Sequence, residues 1–197
     1  MHWNEHREPL GSALTLIHSR QSTSPKHLVD PGPDRAQVEA ILSAAGAAPD
    51  HRLLTPWRLI IVPAEKRHLL AEAFAEALSE RDREATEVQR QEAREKAYRG
   101  PLLVAIVGRL GPALGNVHPQ ERLIAAGCAI QNMLLAAHAM GFGAGLSSGR
   151  SLYSARLRQF FQLTDGEQLL CFMTVGTVAR GKALSTRPTM DDYTTTL

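Results

Sequence analysis

The residue types at positions 20–22 could bind an anion. Arg20 supplies a guanidinium and Ser22 a hydroxyl, with Gln21 between them, and such groups pair with carboxylates and phosphates. They stand at the end of the first helical pattern, before a segment rich in Ser, Pro and Asp. The same residues could also form a solvated turn, and this segment alone leaves both interpretations open.

Two prolines, Pro49 and Pro56, enclose a second candidate segment. They would stiffen a loop that presents His51 and Thr55, and rigid loops on a scaffold commonly carry binding groups. The alternative is a structural turn in which Trp57 fills part of the core.

A third candidate is the glycine-rich segment 141–149. Residues 142–149 contain three glycines and two serines, so the backbone could approach a ligand closely and offer amides and hydroxyls. The alternative is a helix cap at Gly141 followed by an ordinary turn.

The element around which the rest of the chain is organised is the apolar run 123–140. Its residues are apolar or small on almost all sides, which predicts a helix buried on most faces. Gln131, Asn132 and His138 interrupt the run, and its 18 residues are marginal for a bilayer span, so we do not expect a transmembrane helix.

Four strands are predicted, near residues 59, 102, 142 and 170, with helical segments between them. The run 102–108 is apolar without interruption, as in a strand buried on both faces. Residues 64–99 predict one long or two shorter helices. The pattern predicts a mixed α/β or α+β sandwich. The tail 178–197 has little periodicity, and we expect it to pack against another surface of the protein.

Composition limits the function classes. The 197 residues, 44% of them hydrophobic, predict one globular domain, with residues 1–10 as a flexible leader. A net charge of +2 with interspersed acids and bases argues against nucleic-acid or membrane partners. Cys128 and Cys171 lack metal-type spacing and predict reduced thiols and no metal site. The polar N-terminus lacks a signal peptide, so we expect a cytoplasmic protein.

Taken together, these segments resemble the flavin-dependent nitroreductase family over nearly the whole chain. The family has Arg-x-Ser after its first helix, here residues 20–22, and Ala-Pro shortly before Pro-Trp, here residues 48–49 and 56–57. The form Ala-Pro-Asp-His is similar to the short, compact branch. The helix that ends in Gly-Phe-Gly and the Val-Gly-Thr at 175–177 also match.

The resemblance implies an α+β fold, a nitroreductase-like sandwich with a central mixed sheet flanked by helices, forming an intertwined homodimer. It implies FMN at the subunit interface and NAD(P)H as reductant of nitroaromatics, quinones or related electrophiles by a ping-pong mechanism. No side chain is assigned as catalytic, because the chemistry belongs to the cofactor.

The resemblance also assigns the cofactor-binding residues. Arg20, Gln21 and Ser22 would hold the phosphate and ribityl chain, with Arg180 or Lys182 as further phosphate partners. His51 and Thr55 would reach the flavin from the other subunit. Leu146, Ser147 and Ser148 would lie by the ring or the ribityl chain.

The chain departs from the family pattern at three places. Ala47 and the triplet 146–148 stand where the short branch often has arginine-containing sequences, and Thr55 replaces a common glutamine. Because a buried phosphate needs charged partners, the alternative function is a protein of this fold that binds flavin weakly or binds another ligand, with a carrier or regulatory role.

Overall fold

The computed structural model describes residues 10–112, 116–181 and 186–197. Within these ranges the chain forms six α-helices, joined by short 3₁₀ turns. The helices are α1 (Leu10–Ser19), α2 (Arg35–Ser43), α3 (Arg67–Arg81), α4 (Glu87–Glu95), α5 (Pro119–Ala139) and α6 (Ala155–Phe160).

Five strands form one sheet. They are β1 (Leu28–Val29), β2 (Trp57–Ile61), β3 (Leu102–Arg109), β4 (Gly143–Ser147) and β5 (Glu167–Val178). The strand order is β1-β5-β3-β2, and β4 also pairs with β5. All four ladders are antiparallel. The mixed sheet that the resemblance implies is represented in the described residues by one isolated parallel bridge, between Ser22 and Ala144.

The centre of the sheet is buried on both faces, as the apolar run at 102–108 predicted. Val104 and Ile106 of β3 pack in one core with α2 and α5, whereas Leu103 and Val107 pack in a second core with α3 and α6. Side chains of successive strand residues point to opposite faces, so an uninterrupted apolar run supplies both cores. This arrangement confirms the predicted α+β sandwich.

The long helix α5 differs from its prediction on one side. Pro119 opens the helix at its first turn, where a missing N–H costs nothing, and Gly141 follows its end with a φ of +84°. The prediction of burial on most faces is wrong for the isolated chain, because Leu123 is 48% and Ile124 67% exposed. Within the described part of the chain, Leu123 and Ile124 therefore form an exposed apolar stripe on α5.

Two further features correct or extend the sequence predictions. The strand β1 lies in a segment predicted as loop, because two residues are too few to show alternation. Both cysteines are free thiols, and burial raises the pKa of Cys171 to about 11. The predicted leader lies almost wholly outside the described residues. None of the helices that the structure describes is long and apolar enough to cross a membrane.

Arg67 is buried at the start of α3 and joins two connections, the one after β2 and the one before β3. Its guanidinium donates to the carbonyls of Val62 (3.0 Å), Ala97 (2.7 Å) and Pro101 (3.1 Å), with a longer contact of 3.5 Å to Gly100. Only 5% of the residue is exposed, and burial lowers its pKa. The hydrogen bonds to backbone carbonyls thus replace the water that the cation has lost.

We expect Arg67→Met to destabilise the protein by about 2–4 kcal/mol, because the apolar side chain leaves several buried carbonyls without a donor. Urea unfolding measures the change. The matched control is Arg35→Met, which removes an exposed i,i+4 ion pair with Glu39 and should cost about 0.5 kcal/mol or less. Equal effects of the two substitutions would contradict a structural role for Arg67.

Candidate functional site

The segment after α1 lies directly beside β4. The amide of Thr23 donates to the carbonyl of Ala144 at 2.9 Å, and Ser22 forms the parallel bridge to the same residue. A side chain on Gly145 would overlap the carbonyl oxygen of Thr23. This glycine therefore allows two backbones to approach, and in the described chain it is covered by a neighbouring segment of the protein.

A large cavity of about 830 Å³ opens at the end of this segment. Gln21, Ser22 and Arg180, all predicted as cofactor-binding residues, line it together. Its other lining residues include His27 and His138. The cavity therefore combines a guanidinium, hydroxyls and imidazoles, the groups that bind phosphate or carboxylate oxygens.

Arg20 lies beside this cavity and is half-buried. Its guanidinium is 3.4 Å from the hydroxyl oxygen of Ser22, to which it donates. Burial lowers the pKa of Arg20, and the positive charge of Arg187 lowers it further. A guanidinium ordinarily titrates far above neutral pH, so Arg20 remains a cation.

Arg187 is brought to the same place by the chain's tail. It donates to the backbone carbonyl of Arg20 and, at 3.4 Å, to that of His18. Among the described residues, no carboxylate forms an ion pair with Arg20, Arg180 or Arg187. The end of α1 and the tail thus present positive charge without a counter-ion from the described chain.

A second, smaller recess of about 210 Å³ lies at the other end of β4. Two of the predicted residues, Ser147 and Ser148, line it, together with Lys96 and Arg99. The third member of that predicted triplet, Leu146, is 43% exposed and lines neither cavity. The structure therefore divides the predicted site residues between the two ends of β4.

The proline-bounded loop lies apart from both cavities. His51 and Thr55 are exposed, and the carboxylate of Asp50 accepts a hydrogen bond of 2.6 Å from the amide of Thr55. Arg52, Leu53 and Thr55 have positive φ values of 56°, 55° and 47°. Such left-handed backbone is costly for residues other than glycine, so the loop is held in a strained, outward-facing form.

Several residues in these cavities escaped the sequence interpretation. Lys96 and Arg99 lie at the end of the segment 64–99, for which the sequence predicted only helix, although their position just before Gly-Pro and a buried strand places them at the start of a central strand. His138 was noted as an interruption of the apolar run, and its Nε2 lies 2.8 Å from the hydroxyl oxygen of Ser19. Lys182 lies outside the described residues.

The arrangement can bind an elongated ligand that has an anionic end. Among the residues that the structure describes, no group of three or more His, Cys, Asp or Glu side chains could hold a metal ion. The groups that could hold such a ligand are hydroxyls, amides and cations at the two ends of β4.

Comparison with known proteins identifies relatives of this chain. The sequence profile of the nitroreductase family matches residues 17–177. A Haemophilus influenzae protein, provisionally named as an NAD(P)H nitroreductase, is 32% identical over 165 residues, which cover 84% of this chain and 88% of the relative.

Solved structures share the fold. A nitroreductase-like family protein from Bacillus cereus superimposes with a TM-score of 0.81 at 19% identity, over 98% of this chain and 99% of the other. A nitroreductase-type protein from Desulfovibrio desulfuricans, solved in complex with FMN, gives a TM-score of 0.69 at 21% identity, over 98% and 99% of the two chains.

We expect Gly145→Ala to destabilise the protein by about 1–3 kcal/mol, because the new methyl group must displace the backbone of Thr23. Urea unfolding provides the measurement. Gly46→Ala is the matched control, since a side chain at position 46 meets no atom within 4 Å. If Gly145→Ala left the free energy of unfolding unchanged, the segment beside β4 would move aside without loss of stability, contrary to this prediction.

Proposed function

This chain belongs to the nitroreductase family, a family of oxidoreductases, and from that premise we propose that it is an FMN-dependent enzyme that uses NAD(P)H to reduce small electrophiles. The substrate classes are nitroaromatics, quinones and related compounds. In this proposal residues 1–197 act as one nitroreductase-like domain, and two copies form a homodimer with flavin at the subunit interface.

The observation that carries the proposal is the cluster of cations without described acidic partners beside the large cavity. Arg20, Arg180 and Arg187 supply three guanidiniums, and the proximity of Arg187 lowers the pKa of Arg20. A phosphate dianion would relieve the repulsion between these charges and accept their hydrogen bonds. The residues present therefore fit the phosphate end of FMN.

The remaining predicted residues would hold the rest of the cofactor. Gln21 and Ser22 line the large cavity beside the cations and suit a phosphate or ribityl chain, whereas Ser147 and Ser148 lie at the far end of β4. In the proposal, Leu146 packs beside the ring or ribityl chain. Lys182 remains proposed as a further phosphate partner on the basis of the sequence alone.

A second copy of the chain would complete the site. His51 and Thr55 face solvent in one chain, as residues that reach a neighbour's cofactor would do. Leu14 and Ile17 of α1 are also exposed, at 53% and 46%, like the apolar stripe of α5. Burial of these apolar side chains against a partner would stabilise the dimer.

When bound, FMN would supply the electron-transfer chemistry between NAD(P)H and the acceptor. The chain would supply a binding cavity, cationic partners for the phosphate and hydroxyls beside the ring. We assign no catalytic side chain and expect the two substrates to use the same pocket in turn, which gives ping-pong kinetics.

The alternative is a protein of this fold that binds flavin weakly, or another ligand, as a carrier or regulator. Purification of the protein distinguishes the two functions. We expect a yellow homodimer that releases FMN on denaturation and oxidises NAD(P)H when a nitroaromatic or quinone is added. Light scattering, absorption spectra and steady-state kinetics are the measurements. A colourless protein that takes up no added FMN at micromolar concentration would contradict the enzyme proposal.

We expect Arg20→Ala to weaken FMN binding about ten- to a hundredfold, because a lost charge-assisted contact costs roughly 1.5–3 kcal/mol. Titration of the apoprotein with FMN measures the dissociation constant. Lys66→Ala, which removes an exposed cation that lines neither cavity, is the control and should leave the constant unchanged. An unchanged constant in Arg20→Ala would assign the phosphate to Arg180 and Arg187 instead.

A further inference from the structure

We propose that the smaller recess binds the anionic group of a substrate, with Lys96 and Arg99 as its cationic partners. The proposal rests on the proposed function, because it makes the recess a subsite of the same reaction. The ligand chemistry is a carboxylate or phosphate attached to the electron acceptor or to the nicotinamide reductant.

The lining of the recess suits an apolar body that carries a charged end. One part of its wall is aromatic and aliphatic, formed by Phe74, Leu103, Leu152 and Phe172. Hydroxyl groups from Ser147, Ser148 and Ser151 stand on the β4 side. Pockets that bind small organic molecules commonly combine an apolar lining with a few polar groups that fix orientation.

The charge in the recess is not balanced by the described chain. Neither Lys96 nor Arg99 forms an ion pair with any carboxylate among residues 10–112, 116–181 and 186–197. Lys96 is an exposed residue, but partial desolvation of its ammonium lowers its pKa, and the charges of Arg99 and Arg81 lower it further, against a smaller opposing effect of Glu92. An anionic ligand would relieve this repulsion between neighbouring cations.

Arg67 holds the backbone of the segment that carries Lys96 and Arg99. Its guanidinium holds the carbonyls of Ala97 and Pro101, which flank the segment between Lys96 and β3. Gly100, with a φ of +65°, lies against the side chain of Thr174, which lines the recess. Arg67 touches no part of the recess and is therefore a positioning residue.

The proposal is tested with pairs of substrates that differ in charge. The FMN-loaded enzyme is assayed with 4-nitrobenzoate and with the neutral 4-nitrobenzamide, and separately with NADPH and NADH. Two ratios of kcat/KM are compared: that of 4-nitrobenzoate to 4-nitrobenzamide, and that of NADPH to NADH. We expect Arg99→Gln and Lys96→Gln each to lower one of these two ratios about three- to tenfold. The first result assigns the anion to the acceptor, and the second assigns it to the reductant.

Arg83→Gln is the matched control, because it removes an exposed cation that lines neither cavity. Both ratios should keep their wild-type values in this variant. Arg67→Lys should lower the same ratio as Arg99→Gln, whereas a purely structural role would lower thermal stability and leave the ratio unchanged.

Two results would overturn the proposal. Unchanged ratios in both Arg99→Gln and Lys96→Gln would show that the recess binds no anionic substrate group. A shift in the flavin midpoint potential without a change in either ratio would place the cations against the flavin. Ligand-observed NMR of 4-nitrobenzoate with the protein as purified, in wild-type and Arg99→Gln forms, separates these outcomes from failure of the proposed function, because any binding that depends on Arg99 is then measured without turnover.

Discussion

The pairing of β5 with three other strands determines where the parts of the candidate site lie. This 12-residue strand pairs with β3, with β4 and, at its end, with β1. Because β4 is held at a fixed register on β5, its Gly143 end lines the larger cavity and its Ser147 end lines the smaller recess. Thr23 is then fixed against β4 by a backbone hydrogen bond. The cations of both cavities are thereby placed by the backbone of the sheet.

Much of the fold could be predicted because buried strands and helices have recognisable apolar patterns in the sequence. The apolar runs of β3 and β5 predicted central strands, and the small, apolar residues of α5 predicted the helix on which the core is built. The same apolar patterns do not show whether every apolar face is covered. Leu123 and Ile124 fall in a run predicted as a buried helix, yet they are 48% and 67% exposed in the chain, because an apolar pattern does not show whether another element covers that face.

The site was less predictable, because its contacts join distant residues. Arg20 and Ser22 are neighbours in sequence and were recognised together, whereas Arg187 reaches the carbonyl of Arg20 across 167 residues. Without an arginine at position 47, the sequence suggested a shortage of phosphate partners. Arg187 places a further cation next to Arg20, a contact between distant residues that no local pattern shows. The partner-facing roles of His51 and Thr55 remain predictions.

The exposed apolar stripe on α5 has a consequence for any measurement of the cofactor. If two copies must associate before a complete flavin cavity exists, then association and cofactor retention are linked by mass action. Dilution would separate the subunits and release flavin, and added flavin would in turn favour the associated form. The apparent affinity would therefore vary with protein concentration, so that a value measured at nanomolar protein describes a different equilibrium from one measured at the concentrations of a purified stock.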